Sequence, residues 1–155
     1  MRIEKYNLML DPSYKPILQR EFARNISCVG DLHTPKRIVD VMNDIFSLED
    51  CAEEHVYMIA LNQKCRPLGF FEISHGTVNA TPANPREILI RALLCGATGI
   101  VMVHNHPSGN PTPSEKDVDL TRHLKHATQM VGLELLDHII IGREGYVSLE
   151  EEKIQ

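Results

Sequence analysis

The feature that constrains the fold most is Gly99-Ile-Val-Met-Val103, an apolar run without a polar side chain. A strand with one solvated face alternates apolar and polar residues, whereas a continuous apolar run indicates a strand covered on both faces. A sheet with both faces covered needs helices packed against it. The run therefore predicts a strand inside a layered structure of helices and sheet.

Helix-start signals and apolar periodicity place three helices around this run. They are predicted from Thr34-Pro35 onwards, from Asn84-Pro85 to near Gly96, and from about Ser114 to Val131. Each begins at a capping residue, and the first two carry proline at the first helical position. The second helix is apolar nearly all round, so we expect it to be buried.

Strand-like segments fill the intervals between these helices. They are predicted at 3–10, 55–61, 68–74, 99–103, 133–141 and 146–149. The fold class is therefore α/β (α+β), with one mixed sheet flanked by helices in a single domain. The organisation we predict is an N-terminal arm or extra strand at 1–33, followed by the main domain at 34–155.

Composition and charge exclude several classes of protein. The chain has 155 residues, 43% of them hydrophobic and 24% charged, which is ordinary for a globular domain. No apolar run approaches the roughly 18 residues of a membrane span. The segment from Met1 to Leu10 is interrupted by Arg2, Glu4 and Lys5, which argues against a signal peptide, so we expect a cytoplasmic location. Four cysteines without a C-x-x-C pair are expected to be reduced.

The net charge of −5 is unevenly distributed along the chain. Residues 1–37 hold seven Lys and Arg against four Asp and Glu, and the remainder holds nine against seventeen. Proteins that bind nucleic acid directly usually present a basic field. Direct nucleic-acid binding is therefore not expected of the main domain.

A group of metal-ligand residue types follows the apolar run. In an extended chain, residues two apart point the same way, so His104 and His106 can aim at one point. The prolines of the next loop stiffen it, and Asp117 falls in the first turn of the third helix. Two histidines and a carboxylate can form a three-ligand zinc site whose fourth position is left for water. Taken singly, however, the histidine pair can be incidental, and Ser114-x-x-Asp117 is also a capping-box pattern.

The combined pattern His-x-His-Pro-x(6)-Ser-x-x-Asp resembles the zinc motif of the JAMM (MPN-domain) metalloproteases. Further short motifs resemble those of the bacterial RadC family in order and spacing. This resemblance covers about residues 34–155. These motifs are Gly76-Thr77, Pro85-Arg-Glu87, His104-Asn-His-Pro-Ser-Gly109, Pro113-Ser114, Asp117 and Leu136-Asp-His-Ile139.

Carried over to this chain, the resemblance implies an MPN-type fold and one zinc ion. His104, His106 and Asp117 match the family's zinc ligands, while Glu72 matches its general acid/base. Ser114 matches a serine that helps to polarise the substrate carbonyl and hold the oxyanion. The implied activity is hydrolysis of a peptide or isopeptide bond in an unidentified peptide or protein substrate.

Other functions are compatible with parts of the sequence. RadC proteins have been associated with DNA repair and recombination, which makes an accessory role without proteolysis the main alternative. Full-length members resemble a helix-hairpin-helix module joined to this domain, but residues 1–33 show no such pattern. An inactive scaffold is disfavoured because every motif position is present. An HNH nuclease is disfavoured because its histidines are not contiguous at a strand end.

The remaining histidines receive structural or solvent-exposed interpretations. His138 and the adjacent Asp137 lie in an apolar strand, which predicts buried, hydrogen-bonded roles. His123 and His126 share the polar face of the third helix and are expected to be solvated. The others, His33, His55 and His75, show no ligand spacing.

Overall fold

A computed structural model describes residues 1–27, 31–76 and 83–154. The helices in these ranges are α1 (Pro35–Phe46), α2 (Pro85–Leu94) and α3 (Glu115–Met130), with a short 3-10 turn at Leu48–Asp50. The strands are β1 (Arg2–Leu10), β2 (Pro16–Asn25), β3 (Glu54–Leu61), β4 (Pro67–Gly76), β5 (Gly99–Asn105), β6 (Glu134–Gly142) and β7 (Gly145–Ser148). The predicted fold class is confirmed. Cys28, one of the four cysteines, and Thr77 of the Gly76-Thr77 motif lie outside the described residues.

All seven strands form one mixed sheet in the order β2-β1-β4-β3-β5-β6-β7. The pairs β1·β4 and β5·β6 are parallel, and the other neighbouring pairs are antiparallel. Every residue of β5 is buried, as the uninterrupted apolar run predicts. Strand β5 therefore ends inside the molecule, with the histidine motif at its carboxyl end.

Helix α1 covers one face of the sheet, and α2 and α3 cover the other. On the α1 face, Val41 and Met42 belong to the same apolar core as Tyr57 and Val103. On the opposite face, Ile88 of α2 and Leu124 of α3 belong to the core that contains Val56, Met58 and Met102. Because side chains alternate along each strand, the central strands β3, β4, β5 and β6 contribute to both layers.

The N-terminal arm is a β-hairpin that extends this sheet. Strand β1 agrees with the prediction at 3–10 and joins β4 through the pair Lys5 and Phe70. The sequence analysis did not find β2. Most of its residues are exposed at the sheet edge, so it lacks the strict apolar alternation that marks a half-buried strand.

Helix α2 differs from expectation in its burial. It begins after Asn84, whose side chain accepts a hydrogen bond from the backbone N–H of Arg86. Only Ile88 and Ala92 are buried, while Leu93 and Leu94 are about half exposed. The prediction of a buried helix was therefore wrong, because composition alone does not indicate how many faces of a helix are covered.

Among the described residues, no helix is long and apolar enough to cross a bilayer.

Candidate metal centre

His104, His106 and Asp117, hereafter the triad, converge at the carboxyl end of β5. His104 Nε2 lies 3.1 Å from His106 Nε2 and 3.3 Å from Asp117 Oδ1. The distance from His106 Nε2 to Asp117 Oδ2 is 3.5 Å. The three side chains are largely buried, and their potential ligand atoms lie within 4.8 Å of one another. The structure thus brings together the three residues predicted as ligands.

The loop after β5 is held against β6, which positions His106. The backbone N–H of His106 donates to the Ile141 carbonyl at 2.8 Å, and that of Glu144 donates to the Gly109 carbonyl at 3.1 Å. A Cβ atom on Gly142 would overlap the Gly109 backbone, so this close approach requires glycine. The loop is therefore packed on the sheet rather than projecting freely.

A buried chain of hydrogen bonds orients His104 from behind. The Thr121 hydroxyl donates to the Asp117 carbonyl at 2.7 Å, and Thr121 Oγ1 lies 2.6 Å from His138 Nδ1. His138 Nε2 lies 2.9 Å from His104 Nδ1. His138 is buried and hydrogen-bonded, which confirms its structural interpretation, although its link to the triad was not foreseen.

The proton positions along this chain follow from its geometry. Burial lowers the pKa of His138 to about 3, so its imidazole is neutral near pH 7. The single Thr121 hydroxyl proton points to a carbonyl, so Thr121 accepts from His138 Nδ1–H. His138 Nε2 then accepts from His104 Nδ1–H, which leaves the lone pair of His104 Nε2 facing the triad.

His106 presents the same kind of nitrogen. Its Nδ1 lies 3.0 Å from the Asn110 carbonyl, which can only accept, so this nitrogen carries the proton. In the neutral ring, Nε2 therefore has a free lone pair. Two lone pairs and a carboxylate facing one another at 3.1–3.5 Å repel unless a cation or a proton lies among them. This donor set fits a metal ion such as zinc.

The electrostatics of the triad agree with a cation site. Burial by itself would raise the pKa of Asp117, but the adjoining side chains of His104, His106 and Ser114 outweigh burial and hold that pKa well below its usual range. The Asp117 carboxylate beside the ring is the main cause of the raised pKa of His106, and the charge of Glu54 contributes to it. The carboxylate is therefore ionised and available as a ligand.

Ser114 is the N-cap of α3, and its side chain also contacts the triad. Its Oγ accepts from the Asp117 backbone N–H at 3.2 Å and donates to Asp117 Oδ2 at 2.6 Å. The Ser114 backbone N–H donates to the same carboxylate oxygen at 2.7 Å, which completes a capping box. The capping interpretation is confirmed, and the oxyanion role of Ser114 stays a prediction.

Glu72 does not lie at the triad. It pairs across the sheet with Tyr57, which in turn pairs with Val103, so all three face α1. His104 pairs with Val56 and faces the α2 and α3 layer. The assignment of Glu72 to this centre is therefore corrected. The alternation of side chains along β4 correctly placed Glu72 on the other face of the strand from Phe71 and Ile73. It did not reveal which face of the sheet carries the triad.

Glu54, at the start of β3, lies on the face of the triad. It precedes Val56 by two residues, and Val56 is the cross-strand partner of His104. Continuing this antiparallel register by two positions places Glu54 opposite His106. Glu54 is half-buried. The sequence analysis did not single out Glu54, and only the cross-strand register places it on this face.

Asn105, the middle residue of the histidine motif, fixes the segment that carries Glu54. It is buried, and its Oδ1 accepts from the His55 backbone N–H at 2.8 Å. Its Nδ2 donates to the Glu53 carbonyl at 3.0 Å. The motif thus supplies two triad histidines and, between them, an amide that ties the end of β5 to the start of β3.

A second group of ligand types lies on the α1 face at the same end of the sheet. Glu53, His55 and His75 each offer a potential ligand atom, and these atoms lie within 4.8 Å of one another. The sequence shows no ligand spacing for His55 and His75, and their proximity arises from strand pairing. They are twenty residues apart in sequence but directly paired across β3 and β4.

Comparison with known proteins supports a relationship over most of the chain. A family model described as a RadC-like JAB domain matches residues 32–154. A UPF0758 protein of Coprothermobacter proteolyticus is 42% identical over 123 residues, covering 78% of this chain and 52% of that relative. One from Clostridium acetobutylicum is 39% identical over 119 residues, covering 77% and 51% respectively. The chain thus spans about half the length of the curated relatives it matches. The length and level of these matches, with the fold and the triad, show that the chain belongs to the RadC family and carries an MPN/JAB domain.

Proposed function

We propose that the chain is a zinc-dependent hydrolase acting on an amide bond in a peptide or protein substrate. The observation that carries this proposal is the convergence of His104 Nε2, His106 Nε2 and the Asp117 carboxylate, with both imidazole lone pairs directed inward. Membership of a JAB-domain family supports a metallohydrolase. Zinc held there would make water acidic enough to supply a nucleophile near neutral pH.

The remaining steps of the proposed reaction are assigned to named residues of this chain. His104, His106 and Asp117 hold the ion, while Glu54 takes the position proposed from the sequence for Glu72. A carboxylate on this face can accept a proton from water and return it to the leaving amine. Ser114 is exposed beside Asp117, and its hydroxyl is proposed to turn from Asp117 Oδ2 and donate to the oxyanion of the substrate carbonyl.

The experiment that tests this assignment compares two isosteric variants on opposite faces of the sheet. Glu54→Gln keeps the shape of the side chain but cannot accept a proton near neutral pH. We expect amide hydrolysis to fall by about 10²–10⁴-fold with the triad still bound to zinc. Glu72→Gln should keep at least a tenth of the turnover. Zinc content and turnover on a peptide library measure both effects.

Each outcome of that comparison has one interpretation. If Glu72→Gln loses turnover and Glu54→Gln keeps it, the assignment of Glu54 is overturned. If wild-type protein reconstituted with zinc retains none at the triad, the proposal of a zinc hydrolase fails. If Glu54→Gln releases the triad zinc, Glu54 is a ligand and not the proton acceptor.

A DNA-repair accessory without proteolysis stays the alternative prediction. In the N-terminal hairpin, Arg2 and Arg20 pair with Glu4, while Lys5 pairs with Glu21. These pairs reduce the basic field that a phosphate backbone would meet. A DNA titration at several salt concentrations distinguishes the two functions, because phosphate contacts weaken steeply with salt.

A further inference from the structure

The group formed by Glu53, His55 and His75, hereafter the hairpin cluster, lies at the open end of the β3–β4 hairpin. His55 and His75 are directly paired between these strands. Their rings stack with centroids 4.1 Å apart and planes inclined by 22°. His75 Nε2 also contacts the Glu53 carboxylate. Three side chains of metal-ligand type therefore meet outside the triad.

A carboxylate behind His55 sets the orientation of its ring. His55 Nδ1 lies 2.8 Å from Glu72 Oε1, and Glu72 Oε2 lies 3.3 Å from the ammonium group of Lys5. A carboxylate that pairs with lysine accepts the Nδ1–H of a neutral imidazole, which leaves Nε2 free to bind a metal. Metal-binding histidines commonly donate their other N–H to a carboxylate in this way.

The charges around the hairpin cluster favour a cation. Glu21, Glu53 and Glu72 contribute three carboxylates, whereas Lys5 contributes one ammonium group that bridges Glu21 and Glu72. The two imidazoles are uncharged unless they bind protons. Neighbouring carboxylates with so few cationic partners repel one another, and a divalent ion among them relieves this repulsion.

We propose that the hairpin cluster is a second zinc site, in which Glu53, His55 and His75 bind one ion and Glu72 orients His55. Imidazole nitrogens combined with a carboxylate oxygen form a donor set suited to zinc. The ion would link the start of β3 to the end of β4. Because this site and the triad use different side chains on opposite faces of the sheet, their occupancies are measured separately.

The test is zinc stoichiometry on the untagged chain of 155 residues after a chelator has removed bound metal. Equilibrium dialysis against zinc followed by metal analysis should give about two ions per chain for the wild type. Asp117→Ala disables the triad and should retain one ion, while His75→Gln should retain the other. The double variant should retain neither. Glu72→Gln should weaken the second site by about 10–100-fold, as expected for loss of an orienting carboxylate.

His123→Gln is the matched control, because His123 is exposed on α3 and belongs to neither group. It should bind as many ions as the wild type. The second site is overturned if Asp117→Ala binds no zinc, or if His75→Gln in that background does not remove the remaining ion. His55→Gln gives the same readout should His75→Gln fail to fold. The loss caused by Asp117→Ala in the wild-type background reports on the triad alone, so the two proposals fail separately.

Discussion

The triad and the hairpin cluster have the same donor composition but very different surroundings. Each combines two histidines with one carboxylate, and they lie on opposite faces at the same end of the sheet. In the triad, the side chains of His104 and Asp117 are 2% and 14% exposed. In the hairpin cluster, those of His75 and Glu53 are 49% and 56% exposed. Burial therefore separates two groups that composition alone would treat as equal.

The difference shows how the fold preorganises a ligand set. The triad side chains come from β5, a packed loop and the first turn of α3, and hydrogen bonds fix the outer nitrogens of both histidines. In the hairpin cluster, Glu72 Oε1 lies 2.8 Å from His55 Nδ1 but 3.9 Å from His75 Nδ1, so it holds the ring of His55 more closely. Exposed side chains lose more conformational freedom when they bind an ion. We therefore expect the triad to bind zinc more tightly.

Asp117→Ala should produce the largest effect in this comparison. It removes the only charged ligand of the triad, whereas Glu53→Ala removes the corresponding ligand of the hairpin cluster. Zinc affinity at the triad should fall by more than about 10²-fold, because loss of an outer partner alone costs roughly 10–100-fold. Competition with a chromophoric chelator measures both affinities. The expectation that the triad binds zinc more tightly is wrong if Glu53→Ala weakens the tighter of the two sites more than Asp117→Ala does.

Ser114 sharpens the comparison by testing whether the triad performs chemistry beyond holding an ion. Ser114→Thr keeps both a hydroxyl and a capping oxygen, whereas Ser114→Ala removes them. If the hydroxyl stabilises the oxyanion, Ser114→Ala should reduce kcat by about 10²–10³-fold and Ser114→Thr much less. The lost cap should lower the free energy of unfolding by about 0.5–2 kcal/mol. Equal kcat in the two variants would leave capping and the orientation of Asp117 as the roles of Ser114.

Thr121→Val should have a smaller effect, confined to the orientation of His104. The variant keeps the shape of the side chain but leaves His138 Nδ1–H without its acceptor. Triad zinc affinity should fall by about 10–100-fold. Thr128→Val is the matched control, because Thr128 is also buried on α3 and its hydroxyl donates to the Lys125 carbonyl. Zinc titration and thermal unfolding should distinguish Thr121→Val from Thr128→Val. Equal losses of zinc affinity in the two variants would contradict the orienting role of Thr121.

The sequence alone determined the features that depend on local spacing. The apolar run predicted β5, and Pro35 and Pro85 marked the starts of α1 and α2. The histidine motif and the first turn of α3 lie within fourteen residues, so their convergence needs only one strand, one loop and one helix start. Local hydrogen bonds and short-range sterics are enough to favour such an arrangement.

Only the tertiary structure decided which distant side chains meet. The face of Glu72 depends on the register between β3 and β4, which shifts between Val56 and Tyr57. The same register brings His55 beside His75, and the parallel pairing of β5 with β6 brings His138 behind His104. Side-chain alternation predicts that adjacent residues face opposite ways, but strand order and helix packing determine which face becomes a buried centre.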